Sequence, residues 1–289
     1  MPADATLRRA LDGGQVYAPL VLNPLMAKYA EAAGFKAGYV GGGALGFLNG
    51  GLEANLGLEE MVRTGVSIRA QSGIHLIMDG TCGWGDPVHL RHVIPHAEAA
   101  GYDAIEIEDQ VLPKRVHHHA GIEHLVPIEL MVGKIEQAVA ARRSREFLVI
   151  ARTNGVRATD RDDAMRRAEA YARAGADILL PMARSAEDLR YFAERLPAPL
   201  MYLVPLGGLG EMSLSLDEMA ALGYGLIGDP ATPIFAMARA LRAAYAALAR
   251  RERDPTVGGD GAVEERRIYE LLDLEALLEI ERRTHGIRR

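Results

Sequence analysis

The sequence predicts a (β/α)8 barrel followed by a linker and a C-terminal helix, and three observations carry that expectation. First, a phrase recurs: "AEAAGFKAGYV" at 30–40, "AEAAGYDAIEI" at 97–107, "ARAGADILL" at 172–180 and "ALGYGLIG" at 221–228. Each copy reads as an alanine-rich helix end, a glycine suited to a left-handed cap, and a short apolar strand. Second, four more apolar runs fill the gaps, "YAPLVL" at 17–22, "IHLIMD" at 74–79, "FLVIAR" at 147–152 and "PLMYLV" at 199–204, which makes eight strand candidates. Third, the strands alternate with helical stretches, the mark of a parallel sheet covered on both faces. Eight such units in about 230 residues fit a closed barrel better than an open doubly wound sheet.

The elements follow in order. Helices open at capping residues, as at Asp160 before "RDDAMRRAEAYARAG" and Ser185 before "AEDLRYFAERL". A long helix near 232–251 leads into "DPTVGGDGA", a flexible linker by composition. The stretch "VEERRIYELLDLEALLEIERR" is then amphipathic, with Ile268, Leu271, Leu272, Leu277 and Leu278 available to one face. The chain therefore divides into a barrel, 1–251, and a tail, 252–289. The tail helix packs either on its own barrel or on a neighbouring subunit.

Composition narrows the function classes. A chain of 289 residues with 49% hydrophobic and 25% charged residues buries a large core, and a formal charge of -6 gives no reason to expect nucleic acid. The N-terminus, "MPADATLRRALDGG", has no apolar core of a signal peptide, and no run of eighteen apolar residues suggests a membrane span. The single cysteine, Cys82, excludes an intrachain disulfide and agrees with a reducing, cytoplasmic location. A small soluble substrate is the expected partner.

In a barrel of this kind the active site lies at the C-terminal ends of the strands. There the second strand ends in "VGGGALG", the third in "MDGTCGWG", the fourth in "EIEDQ" and the fifth in "ARTNG". Asp79 and Glu108 are hard oxygen ligands suited to Mg²⁺ or, as the alternative, partners of a buried arginine or lysine. Arg152 either clamps a substrate carboxylate or pairs internally with Glu106, which shares a strand face with Glu108. Gly41, Gly43 and Gly46 spell GxGxxG and raise an NAD-linked alternative, weakened because no ribose-binding acid ends the next strand in the usual manner. Bare amides holding a substrate carboxylate or phosphate explain these glycines more simply. His117, His118 and His119 alternate in direction if their loop is extended, so at most two act together, as general acid or base or simply as a solvated loop. Cys82 reads as a small buried filler rather than a nucleophile.

The patterns "LIMDGTCGWG", "IEIEDQVLPKR" and "VIARTNG", in this order, resemble the isocitrate lyase and phosphoenolpyruvate mutase superfamily, near its methylisocitrate lyase, dimethylmalate lyase and oxaloacetate decarboxylase branches. The resemblance runs from about residue 15 to 250. It implies a (β/α)8 barrel, usually a dimer of dimers that exchanges a C-terminal helix, with Mg²⁺ or Mn²⁺ holding a 2-oxo or 2-hydroxy acid. By the same resemblance Asp79 matches the direct metal ligand and Glu108 a carboxylate holding metal-bound water. Arg152 matches the substrate-carboxylate arginine, Gly42 and Gly43 backbone donors, and Lys114, Arg115 and His118 the mobile catalytic loop.

The departures from the family pattern bear on the reaction. The loop cysteine that donates a proton in the lyases is Val116 here, the second aspartate after the third strand is Thr81, and the serine before the glycines is Gly41. The acid in the loop after the second strand appears as Asn55, kept as a substrate contact, and the sixth-strand glutamate is Met182. Fewer acids imply weaker metal binding, and Met182, Leu203, Val204 and Leu206 imply an apolar distal pocket. These substitutions point to carbon–carbon cleavage of a small oxo or hydroxy acid through an enolate, decarboxylation above all. The alternatives are phosphorus–carbon chemistry and a binding barrel without catalysis.

Overall fold

Eight strands, β1 (Val16–Pro19), β2 (Ala37–Val40), β3 (His75–Asp79), β4 (Ala104–Glu108), β5 (Leu148–Thr153), β6 (Ile178–Pro181), β7 (Leu200–Leu203) and β8 (Tyr224–Asp229), form one sheet. In this computed structural model, which describes residues 6–197 and 199–285, they run parallel in the order β1-β8-β7-β6-β5-β4-β3-β2. The sheet's two ends meet where Leu20 pairs with Tyr39 and the Val21 N–H donates to the Tyr39 carbonyl at 2.9 Å. That is the expected (β/α)8 barrel. The first five residues and the last four, which belonged to the leader and tail readings, lie outside the described residues.

The recurring phrase works as its chemistry dictates. Gly34, Gly101, Gly175 and Gly223, one in each copy, all take left-handed φ values of 92°, 87°, 100° and 90° between helix end and strand. Only glycine adopts that conformation without steric cost. The predicted caps also form: Asp160 accepts from the Asp163 N–H at 2.7 Å and Ser185 from the Asp188 N–H at 3.0 Å.

Inside the barrel, Val16, Ala18, Ala37, Ile77, Ala104, Leu148, Ile150 and Leu180 belong to one buried cluster. Side chains alternate along a strand, so the faces that carry these apolar residues deliver Asp79 on β3, Glu106 and Glu108 on β4, and Arg152 on β5 to the interior. Register aligns them further, pairing Asp79 with Glu106 and Glu108 with Arg152 across neighbouring strands.

The chain forms two compact units, one ending at Thr232 and a second starting at Pro233, so the composition boundary at 251/252 falls inside the second unit. That unit holds the helix Thr232–Ala249 apart from its first residue, and the helices Gly261–Leu271 and Leu274–His285. The predicted linker contains a turn, in which the Asp254 carboxylate accepts from the N–H groups of Thr256 at 2.9 Å and Val257 at 2.6 Å. The single tail helix is two helices, broken at Asp273, whose φ of 56° is left-handed. Leu272 and Leu277 of the predicted apolar face are exposed in this chain, together with Val263, Tyr269 and Ile280. Among the described residues no helix is long and apolar enough to cross a membrane.

Candidate active site

Four buried carboxylates, Glu53, Asp79, Glu106 and Glu108, share the C-terminal end of the barrel with the cations of Lys114 and Arg152. Asp79 is fixed by two backbone donors, the N–H of Gly42 to Oδ2 at 2.9 Å and that of Thr81 to Oδ1 at 3.0 Å. Lys114 Nζ donates to both Glu53 and Glu108. Glu108 also accepts from Asn154 Nδ2 at 2.8 Å and Gln110 Nε2 at 3.0 Å. Arg152 Nη1 donates to Glu106 at 2.9 Å and Nη2 to Asn154 Oδ1 at 3.2 Å, while its Nε lies 3.4 Å from Glu108. The Tyr39 hydroxyl donates to the second oxygen of Glu106 at 2.9 Å. The internal ion pair considered for Arg152 is therefore formed.

These contacts set unequal charge states. Burial and the neighbouring Asp79 push Glu53 up to about 7, against the attraction of Lys114. Burial likewise raises Glu106 to about 7, although Arg152 opposes the shift. Burial also works against Glu108, but Lys114 and Arg152 outweigh it and hold that carboxyl well below the usual range. Lys114 stays charged because Glu108 and Glu53 overcome its desolvation. Within the Lys114 cluster Glu108 is the ionised partner and Glu53 the one that takes a proton near neutrality.

The loop after β4 differs from its predicted form. Residues Val116–Ala120 make a 3₁₀ turn rather than an extended segment, closed by Gly121 at φ 85°. Three residues per turn send the histidines in three directions. His118 Nδ1 lies 2.9 Å from Glu123 Oε2 and 3.0 Å from Gln110 Nε2, whereas His117 meets His124 at 3.0 Å. Glu123, its carboxylate fully covered, is also 3.2 Å from Arg157. Gln110, whose amide donates to Glu108, thus lies beside His118 and places the loop next to the carboxylate cluster.

Lys114, Arg152, Asp79 and Glu108 are brought together as expected, with His118 one side chain away. Arg115 and Val116 are exposed. Asn55 needs correcting: it is exposed at the end of the 3₁₀ turn Glu53–Asn55, which points Glu53 inward and Asn55 outward. A buried acid, Glu53, does reach the site from this loop. Gly42 spends its amide on Asp79 rather than leaving it bare, and an added Cβ on Gly43 would lie 3.8 Å from Glu53. Gly46 is required for packing, since a Cβ there would sit 2.9 Å from the Glu53 nitrogen, which removes the need for a dinucleotide. Leu203 and Met182 pack against the core as an apolar wall and Val204 is buried, but Leu206 is exposed. Cys82 is a buried filler whose thiol is pushed up by burial and by Glu108. Sequence reading missed Glu53, Gln110, Asn154 and Glu123. Gln110 and Asn154 lie inside motifs that were singled out, and the only sign of Glu53 was a lone acid in the apolar run "GLEANLGL".

Among the described residues no three His, Cys, Asp or Glu side chains surround one point as a finished metal cage. The donor chemistry nevertheless suits a divalent ion. Asp79, Glu53 and Glu108 are hard oxygen donors of the kind Mg²⁺ and Mn²⁺ take, and the raised Glu53 and Glu106 show that this site already holds more buried negative charge than Lys114 and Arg152 balance.

The family model described as phosphoenolpyruvate phosphomutase matches residues 7–249. The chain belongs to this family. It is 36% identical to 2-methylisocitrate lyase of Aeropyrum pernix over 78% of this chain and 72% of that protein. It is 32% identical to 2,3-dimethylmalate lyase of Eubacterium barkeri, with 92% of each covered. A solved phosphonopyruvate hydrolase in complex with oxalate and Mg²⁺ superposes with a TM-score of 0.82 at 32% identity, covering 96% of this chain and 97% of that one. The resemblance read from three motifs thus holds over the barrel, and the protein is an enzyme of the isocitrate lyase and phosphoenolpyruvate mutase superfamily.

Proposed function

We propose that this protein cleaves a carbon–carbon bond in a small 2-oxo or 2-hydroxy acid, and that its best reaction is decarboxylation of an oxaloacetate-like acid. The observation that carries this reading is the buried group of Asp79, Glu53, Glu108, Lys114 and Arg152 at the C-terminal strand ends. Asp79, with Glu108 beside it, would hold Mg²⁺ or Mn²⁺ through hard oxygen donors, and the ion would supply Lewis-acid polarisation of the substrate's oxo group. Arg152 and Asn154 receive the carboxylate that stays with the product, and the apolar wall of Met182 and Leu203 leaves room for a short or alkyl-bearing chain rather than a tricarboxylate. When the bond to the departing CO₂ breaks, its electron pair passes into the enolate. His118 then returns a proton to carbon: Glu123 engages its Nδ1, and Nε2 has no partner among the described residues. Val116 cannot serve as a donor, and decarboxylation tolerates that change because solvent also protonates an enolate.

The same proposal places the enzyme in the cytoplasm, in keeping with its one buried cysteine. It also makes it a homo-oligomer, a dimer or dimer of dimers, because the exposed apolar residues of helices Gly261–Leu271 and Leu274–His285 are suited to burial against another copy. The likeness to phosphonopyruvate hydrolase supports a second reading, cleavage of a phosphorus–carbon bond. Turnover of a panel containing oxaloacetate, methylisocitrate, dimethylmalate and phosphonopyruvate with Mg²⁺ tests both. The proposal expects oxaloacetate to react fastest. Release of phosphate from phosphonopyruvate with oxaloacetate untouched would replace it by the second reading.

A further inference from the structure

At the opposite, N-terminal end of the barrel, a cavity of about 630 Å³ opens among Arg8, Arg142, Arg143, Arg145, Glu146 and Asp177. Its walls are the helix Leu7–Asp12, the loop that enters β5 and the residue that precedes β6. Of the two lining acids Asp177 is spent, while Glu146 forms no ion pair among the described residues. Asp177 gives one oxygen to Arg8 Nη2 at 2.8 Å and the other to Arg142 Nη1 at 2.6 Å and the Val149 N–H at 2.9 Å. Glu98, just behind the loop, accepts from the backbone N–H groups of Arg143 and Ser144. The loop is thereby held in place while the guanidinium groups of Arg143 and Arg145 have no carboxylate partner among the described residues. Four arginines against two carboxylates leave the cavity positive, in the barrel unit of an otherwise acidic chain.

We propose that this cavity binds a small polyanion carrying phosphate groups. Its volume lies in the range of small-molecule sites, of roughly 300–1,000 Å³. Guanidinium forks match phosphate oxygens in geometry as well as charge. Concavity favours a small ligand over an extended nucleic acid or a membrane surface. The site stands apart from the carboxylate centre: the arginine loop precedes Leu148, and Arg152 lies four residues, roughly 13 Å of strand, further along β5. It therefore does not depend on the reaction proposed above.

Calorimetric titration of the full chain with pyrophosphate, at low ionic strength and without divalent metal, tests the site. Wild type is expected to bind, and Arg143→Ala/Arg145→Ala to bind at least about tenfold more weakly, as the loss of two charge-assisted contacts implies. Both side chains are exposed, so an unchanged unfolding midpoint should accompany that loss. Arg115→Ala, which removes an exposed cation at the other end of the barrel, should bind as wild type does. No binding by wild type at millimolar pyrophosphate, undiminished binding by the double variant, or binding abolished in Arg115→Ala would each overturn the proposal.

Discussion

Replacing Arg152 by methionine tests the electrostatic account of the barrel mouth quantitatively. The side chain keeps most of its length but loses the guanidinium that contacts Glu106 at 2.9 Å and approaches Glu108 at 3.4 Å. Arg152 is only 8% exposed, so solvent replaces little of that interaction. Removing one partner of a buried ion pair costs about 3–5 kcal/mol. For a unit of this size each kcal/mol moves the midpoint by about 2–4 °C, so a fall of roughly 6–20 °C is expected. The loss should also depend on pH. Burial already raises Glu106 to about 7, and without Arg152 its carboxyl rises further. A carboxyl raised on folding stabilises when protonated, fully below its unfolded value and no longer above its folded value. Below pH 7 wild type and variant therefore change together, while above it only the variant continues to lose stability. Thermal unfolding followed by circular dichroism should show a wider gap at about pH 9 than at about pH 6. A gap that is equal at the two pH values, or a loss under about 1 kcal/mol, would refute the reasoning.

Three further predictions follow from the geometry. His118→Ala should lower turnover of the best substrate by about ten- to a thousandfold, in the range of general acids, and Glu123→Gln by less; full kcat in His118→Ala would make the loop a lid and leave the proton to water. Deleting residues 252–289 should lower the oligomeric mass seen by light scattering, and an unchanged mass would exclude the tail from the assembly. Gly80→Ala should destabilise by about 1–3 kcal/mol, because its Cβ would lie 2.5 Å from the Glu106 carbonyl oxygen, a backbone atom unable to give way; an unchanged urea midpoint would show that β3 and β4 separate freely.

The barrel was legible because its signals are local. A left-handed glycine followed by an apolar strand announces itself four times, and alternation along β4 puts Glu106 and Glu108 on one face before any coordinates are known. Asp79, Arg152 and Lys114 were legible for the same reason, being at strand ends or in the loop just after one. Glu53 was hidden because it reaches the site through a 3₁₀ turn thirteen residues beyond the end of β2, where no periodicity tells Glu53 from Asn55. Glu123 was hidden because its partners, His118 and Arg157, come together only when Gly121 reverses the chain. The tail is helical, but its break at Asp273 depends on a single left-handed residue that composition does not mark.

The central claim, that the carboxylates at the C-terminal strand ends hold a divalent ion together with a 2-oxo acid, is tested most directly by titrating Mg²⁺ into wild type and Asp79→Ala in the presence of oxalate, a mimic of the enolate of pyruvate. Calorimetry should show a binding site in wild type and none in the variant. Equal heats in the two proteins would contradict the account, because the ion would then be held without Asp79.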